Sequence, residues 1–195
     1  MIIIETARLI LRHWRADDGA PLTLINQDPQ VMEHLPKRLT PAETRAMIQR
    51  INHCIEQRGF GLWAVALKQS GVLIGFIGLS TPAFEAPFTP CVEIGWRLSA
   101  AHWGQGYATE GAKTALAYGF TKLSLQEIVA FTIPENQRSL RVMQQIGMQR
   151  DHQGDFAHPK FPSDHRLSRH LLYRIQRSDW ELSSTPDGEG VLSPP

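Results

Sequence analysis

Cysteine is scarce in this chain: Cys54 and Cys91 are the two among 195 residues. Neither belongs to a metal-ligand or redox spacing, which argues against a disulfide framework and leaves reduced, buried thiols as the expectation. An excess of one charge is lacking as well. Twenty Lys and Arg face 19 Asp and Glu, a net charge of +1, so no broad basic surface points to nucleic acid. No apolar run approaches the roughly 18 residues of a membrane span. The opening Met1-Ile2-Ile3-Ile4-Glu5 has neither the basic segment nor the apolar stretch of a signal peptide. The expectation is a cytoplasmic protein, monomer or homodimer, without a membrane or nucleic-acid partner. Apolar residues make up 42% and charged residues 20%, enough for a sizeable core. The length suits one domain over 1–182, followed by a polar, Pro- and Gly-rich tail over 183–195 that is expected to be disordered.

The periodicity changes along the chain. Thr6 to Arg12 reads as a first strand with Leu9 and Leu11 on one face. Asp17 and Asp18 are placed to cap a helix running toward Asn26. Thr40-Pro41-Ala42-Glu43 combines a cap, a proline at the first helical position and a capping box. The helix it opens carries Met47, Ile48, Ile51 and Ile55 on one face and should stop before Gly59. Leu62 to Leu67, Val72 to Leu79 and Cys91 to Leu98 alternate as strands, with a hairpin turn at Gln69-Ser70-Gly71 and a proline-rich loop from Thr81 to Pro90. Gly75 and Gly78 mark a weak strand, a bulge or a close contact. A helix with Ala108, Ala112, Ala115, Leu116 and Gly119 on one face ends near Lys122. Glu127 to Ile133 is a strand, Asn136 to Ile146 a short helix stopped by Gly147, and Leu171 to Ile175 a last strand. The order gives an α+β fold with a mainly antiparallel early sheet.

The most informative stretch is Trp103-Gly104-Gln105-Gly106-Tyr107-Ala108-Thr109-Glu110, at the junction of a strand and a helix. Two glycines let the backbone approach a ligand, and the first helical turn offers free N–H groups at the positive end of its dipole. That combination binds phosphate. The dinucleotide fingerprint wants Gly or Ala where Thr109 stands, and no Gly-Lys-Ser/Thr of an ATP-binding loop is present. A plain tight turn is the alternative to a ligand loop.

These residues resemble the GNAT acyl-CoA-dependent N-acetyltransferases, over roughly Glu5 to Ile175. Leu98, followed five residues later by Trp103-Gly104-Gln105-Gly106-Tyr107-Ala108, is similar to that family's pyrophosphate loop. Thr132-Ile133-Pro134-Glu135-Asn136-Gln137-Arg138-Ser139 and the following Val142 to Met148 resemble its cofactor-contacting helix. Glu5 to Arg12 resembles the opening strand of the branch that acetylates ribosomal-protein N-termini. The resemblance implies a mixed, mainly antiparallel sheet of about six to seven strands with flanking helices. It also implies acetyl-CoA as co-substrate, without a metal. Two departures stand out: Trp103 replaces the usual Arg or Gln, and Met143 replaces the Tyr that often protonates the departing thiolate.

The resemblance further implies that the strands ending at Leu98 and Ile133 splay apart to admit the pantetheine arm. Backbone groups near Leu98 would bond to it, and the amides of Gly104, Gln105, Gly106, Tyr107, Ala108 and Thr109 would hold the pyrophosphate. Asn136 either contacts the cofactor or caps its helix. Glu93 is the candidate general base, since partial burial raises a carboxylate's pKa; the alternative is a structural carboxylate. Ser139 is the candidate donor to the leaving thiol, or else a support for its helix turn. The acceptor is expected to be a primary amine, either a protein N-terminus or a small molecule. The other possibility is a non-catalytic acyl-CoA-binding protein. His152, His158, His165 and His170, spaced six, seven and five apart, match no usual zinc pattern. The stretch Asp155 to His165 reads either as a loop over the acceptor pocket, with Asp155 and Asp164 to attract an amine, or as a solvated loop. Leu35-Pro36-Lys37-Arg38 is a further candidate for the acceptor side.

Overall fold

The computed structural model describes residues 1–184, and residues 185–195 lie outside it. Eight strands form one sheet: β1 (Ile2–Glu5), β2 (Leu9–Arg12), β3 (Leu62–Leu67), β4 (Leu73–Ser80), β5 (Glu93–Leu98), β6 (Glu127–Thr132), β7 (Gln149–Ala157) and β8 (Arg169–Gln176). Five helices accompany them: α1 (Gly19–Gln27), α2 (Pro41–Arg58), α3 (Tyr107–Thr121), α4 (Gln137–Gln145) and α5 (Arg177–Ser184). The sheet order is β1-β2-β3-β4-β5-β6-β8-β7, and every neighbouring pair is antiparallel except β5 and β6. The α+β reading and the mainly antiparallel sheet agree with this architecture; the strand count is slightly higher than expected.

The additional strands are the edges. β1 is four residues long and the chain leaves it before Thr6, so the strand expected over Thr6 to Arg12 is β2 and begins at Leu9. β7 lacks apolar alternation. It is held by pairing with β8 and by ion pairs, Arg150 to Asp155 at 2.6 Å and Arg174 to Asp151 at 2.8 Å. The tail expected from 183 onward is described only as far as Ser183 and Ser184, which close α5.

Local chemistry explains the rest. Thr40 accepts from the Glu43 amide and Glu43 accepts from the Thr40 amide, so α2 starts at its capping box; Gly59, at φ 76°, ends it. Asp18 behaves differently from the expected cap. Its carboxylate turns away from α1 to the Arg15 amide at 2.7 Å and to Arg12 at 2.6 and 2.8 Å, a buried, two-pronged ion pair. Gly75 and Gly78 mark close backbone approach: a Cβ on either would lie 2.0 Å from a carbonyl oxygen, of Arg97 and Gly61 respectively.

The two faces of the sheet are distinct. Ile77 and its partner Trp96 face α3, where a side chain on Gly111 would collide with Ile77. Phe76 and its partner Arg97 face α1, and α2 packs on α1 through the Asn26 Nδ2 to Thr44 Oγ1 bond. The core fills from both faces, with Leu9, Leu11, Trp63, Ile74, Ile77, Leu79, Leu116, Phe120 and Ile128 all fully buried or nearly so.

Candidate active site

β5 runs into the glycine-rich loop, and the loop opens α3. Gly104 and Gly106 adopt φ of 74° and 80°, the left-handed region that glycine enters without steric cost. Among the described residues the amides of Gly104 to Thr109 donate to no backbone carbonyl; the next amide, of Glu110, bonds to Gly106 O at 3.0 Å. A run of free N–H groups at the positive end of a 15-residue helix has the geometry that suits an anion such as a phosphate. The loop is braced from behind. Arg8 Nη1 donates to Gln105 O at 2.9 Å, its Nε meets Glu110 at 2.6 Å, and Thr6 Oγ1 donates to Glu110 Oε1 at 2.6 Å. Sequence reading missed this brace, because Arg8 and Glu110 are 102 positions apart.

β5 and β6 meet at one register pair, Glu93 with Val129, and by the Val129 amide to Val92 O at 3.0 Å. Beyond that point the two strands diverge. The β6-facing edge of β5 therefore has no strand partner from Ile94 to Leu98, although Leu98 O is taken by the Trp103 indole; it is a template for an extended ligand to join as a strand partner would.

A cavity of about 380 Å³ lies along this gap. Its lining brings together nearly all the residues that the sequence singles out: Leu98, Trp103, Gly104, Gly106, Tyr107, Ala108, Thr109, Asn136 and Ser139. Gln105 is not on the lining; its side chain turns back to Ala101 O at 3.3 Å. Trp103 donates its indole N–H to Leu98 O at 3.0 Å, and the Arg138 guanidinium covers its ring at 4.3 Å. Asn136 caps α4 by accepting from the Ser139 amide at 3.3 Å, and its Nδ2 donates to Thr132 Oγ1 at 3.0 Å. The Ser139 hydroxyl has no protein partner among the described residues and faces the cavity. Met143, one turn on, is buried at 2% exposure.

Glu93 stands apart. It does not line the cavity, and the strand carries it about 16 Å from Leu98. Its side chain accepts from Ser80 Oγ at 2.7 Å. Burial raises its pKa, while the Ser80 hydrogen bond and nearby Lys160 pull it back. Arg97 shares its face of β5, with Gly95 between them. Arg97 is the residue that sequence reading overlooked: its guanidinium donates to Asn26 Oδ1 at 2.6 Å, stacks over Phe76 at 5.1 Å, and lines the cavity beside Gln30, Val31 and His34.

On the same side, Phe84, Phe88, Phe131 and Phe156 surround His158 and His170, whose rings lie 5.1 Å apart. Burial is the main cause holding both histidines below their ordinary pKa. The loop after β7 reaches the segment between α1 and α2, where Arg166 Nη1 donates to Glu33 O at 2.9 Å. Asp155 belongs to β7 and is occupied by Arg150, so it does not serve as a free attractant for an amine. Leu35 lines the cavity, whereas Lys37 turns to Glu43. Among the described residues no group of three or more His, Cys, Asp or Glu side chains is arranged to hold a metal ion, and no helix is long and apolar enough to cross a membrane.

Comparison with known proteins bears on this geometry. The sequence profile of the Acetyltransferase (GNAT) domain matches residues 8–149. The uncharacterized N-acetyltransferase p20 of Bacillus licheniformis is 30% identical over 155 residues, covering 77% of this chain and 84% of the relative. A GNAT-family acetyltransferase structure from Bacillus anthracis superposes with a TM-score of 0.75 at 28% identity, covering 91% of this chain and 99% of that one. The ribosomal-protein-S5-alanine acetyltransferase of Vibrio fischeri shares the fold, with a TM-score of 0.68 at 20% identity over 91% of this chain and 97% of that one.

Proposed function

This chain belongs to the GNAT acetyltransferase family, and from that premise we propose that it moves an acetyl group directly from acetyl-CoA to a primary amine, either a protein N-terminus or a small-molecule amine. The observation that carries the reading is the meeting of two unsatisfied backbone surfaces. The free amides of residues 104–109 and the open edge of β5 converge on a single cavity lined by Asn136 and Ser139. A phosphorylated, extended co-substrate satisfies both surfaces at once.

The thioester supplies the acetyl group and leaves as a thiol. The amine nitrogen bonds to the carbonyl carbon, the carbon–sulfur bond breaks, and the amine proton must be removed. In this reading Glu93 takes that proton through a chain of water, since the strand carries it about 16 Å from Leu98; burial raises its pKa, which makes it a stronger base than an ordinary carboxylate. Backbone N–H groups near Leu98 stabilise the charge that develops on the carbonyl oxygen. Ser139, with its hydroxyl uncommitted, donates to the departing sulfur. Trp103 in place of Arg or Gln is compatible with binding, because backbone amides carry the pyrophosphate. Met143 has no proton to give, which leaves Ser139 as the donor on α4. Such a protein works where acetyl-CoA is held, in the cytoplasm.

The test is thiol release from acetyl-CoA with a panel of amines and N-terminal peptides, beside the effect of coenzyme A on Tm. Release with any amine supports transfer. A Tm rise with coenzyme A but no release anywhere would leave a binding-only protein. The presence of both Glu93 and an uncommitted Ser139 hydroxyl argues against that second reading.

A further inference from the structure

We propose that Arg97 is a receptor for a carboxylate on the acceptor, so that the preferred substrate is an amine carrying an acid group within about two residue lengths of its nitrogen. This rests on the acetyltransferase reading and goes beyond it by naming the acceptor's second functional group.

The first ground is an incomplete pairing. Arg97 is a half-buried guanidinium with a single protein acceptor among the described residues, the neutral Asn26 Oδ1 at 2.6 Å. No carboxylate pairs with it among the described residues. Arg12, which is buried, has Asp18 on two of its nitrogens. A guanidinium has five donors arranged to grip a carboxylate with two at once, and a partly desolvated one gains from such a partner. The remaining donors of Arg97 have no protein acceptor, and the residue lines the cavity. Burial lowers Arg97 to about 10, with no neighbouring charge to offset it; it remains a cation at neutral pH.

The second ground is position. Glu93, Gly95 and Arg97 alternate along one face of β5. A Cβ on Gly95 would meet nothing nearer than Leu62 Cδ2 at 3.9 Å, so the strand leaves open space between a carboxylate and a guanidinium. Arg97 directly precedes Leu98, near which the thioester carbonyl is read to lie, so an acceptor with its acid on Arg97 keeps its amine within about two residue lengths of the reacting carbon, while Glu93, about 13 Å up the strand, is reached through water.

The third ground is the lack of an alternative electrostatic partner for a polycation. Asp155 is taken by Arg150, and Glu127 and Asp151 are taken by Arg174. The surrounding aromatic side chains add no negative charge. A polyamine would meet the cations Arg97 and Lys160 beside Glu93.

A ladder of ω-amino acids from glycine to 6-aminohexanoate, each compared with its amide, tests the proposal through initial rates of thiol release. A peptide pair, Ser-Asp against Ser-Asn with blocked C-termini, distinguishes a peptide acid from a free amino acid as the source of the carboxylate. In the wild-type protein the acid is expected to exceed its amide in kcat/KM by about 10- to 100-fold at one or two ladder lengths or in the peptide pair, the range of a charge-assisted bond. In Arg97→Met the acid-to-amide ratio should fall to about one, and Arg97→Lys should keep part of the preference. Equal or inverted ratios in the wild type overturn the proposal and leave acetyl transfer standing. So does a ratio that Arg97→Met does not change. The wild-type ladder decides the matter even if the Met variant fails to fold. Absence of release with every acceptor, together with no effect of coenzyme A on Tm, instead overturns the acetyltransferase reading beneath it.

Discussion

Ser80 Oγ donates to Glu93 Oε1 at 2.7 Å across the β4–β5 ladder, at the one position where β5 also pairs with β6. The bond favours the ionised carboxylate, against a burial that favours the protonated one. Glu93 is thus held above the ordinary carboxylate range but kept from rising further.

A pH profile follows from that balance. As a base, Glu93 must be ionised, so kcat/KM should climb as pH rises through its elevated pKa. Glu93→Gln should remove this acid limb and lower the rate by about 10²–10⁴. Ser80→Ala, which removes a stabiliser of the carboxylate, should move the limb to higher pH. Stability should respond in the opposite sense. A carboxyl whose folded pKa lies above its unfolded value of about 4.3 contributes stability that is complete below that value and lost as pH rises through the folded pKa. Glu93→Gln should therefore be at least as stable as wild type at neutral pH. An acid limb that persists in the Gln variant removes Glu93 from the role of base.

Ser139→Ala removes one hydroxyl from the cavity wall and leaves the Ser139 amide bonded to Asn136. If that hydroxyl serves the leaving sulfur, kcat should fall about tenfold, the worth of one hydrogen bond, with KM for acetyl-CoA little changed. Steady-state kinetics with saturating acceptor checks this. A raised KM with unchanged kcat would make Ser139 a binding contact only.

The proposed phosphate cradle depends on Gly106 holding φ at 80°. Gly106→Ala should cost about 1–2 kcal/mol of local strain and bring a methyl to 3.4 Å from Arg8 Nη2. Coenzyme A affinity by calorimetry should drop about tenfold or more, while affinity for an acceptor analogue stays near that of wild type. Unaltered coenzyme A binding would show that the ligand does not rely on this turn.

Asp18 and Arg12 form the most buried ion pair among the described residues, with side chains 4% and 5% exposed. Asp18→Asn leaves Arg12 as an uncompensated buried cation. Unfolding in urea should show a loss of about 3–5 kcal/mol. A loss below about 1 kcal/mol would mean that water reaches and solvates the guanidinium.

Legibility was uneven for physical reasons. α2 was readable to within a residue, since its start and stop are written in neighbouring side chains: Thr40, Pro41, Glu43 and Gly59 act within a turn of one another. The glycine loop was readable because its geometry depends on residues it contains. β7 was not, because its stability comes from pairing with β8 and from arginines on other elements, and its own residues are mostly polar. Asp18 misled in the same way. A carboxylate next to a helix start looks like a cap until a guanidinium from β2 is folded against it. Arg97 carried no motif at all, because its meaning lies in a missing partner.

The sequence by itself determined the order of the central elements from α1 to β6, the α+β class, the glycine turn and the family, all of which rest on local backbone preference and spacing. The tertiary structure alone decided how far β5 and β6 part, which carboxylates are already paired, and that one guanidinium on the cavity wall has none. Those properties depend on distances between residues far apart in the chain. Burial and Coulomb interactions act on such distances, and no local pattern of residues encodes them.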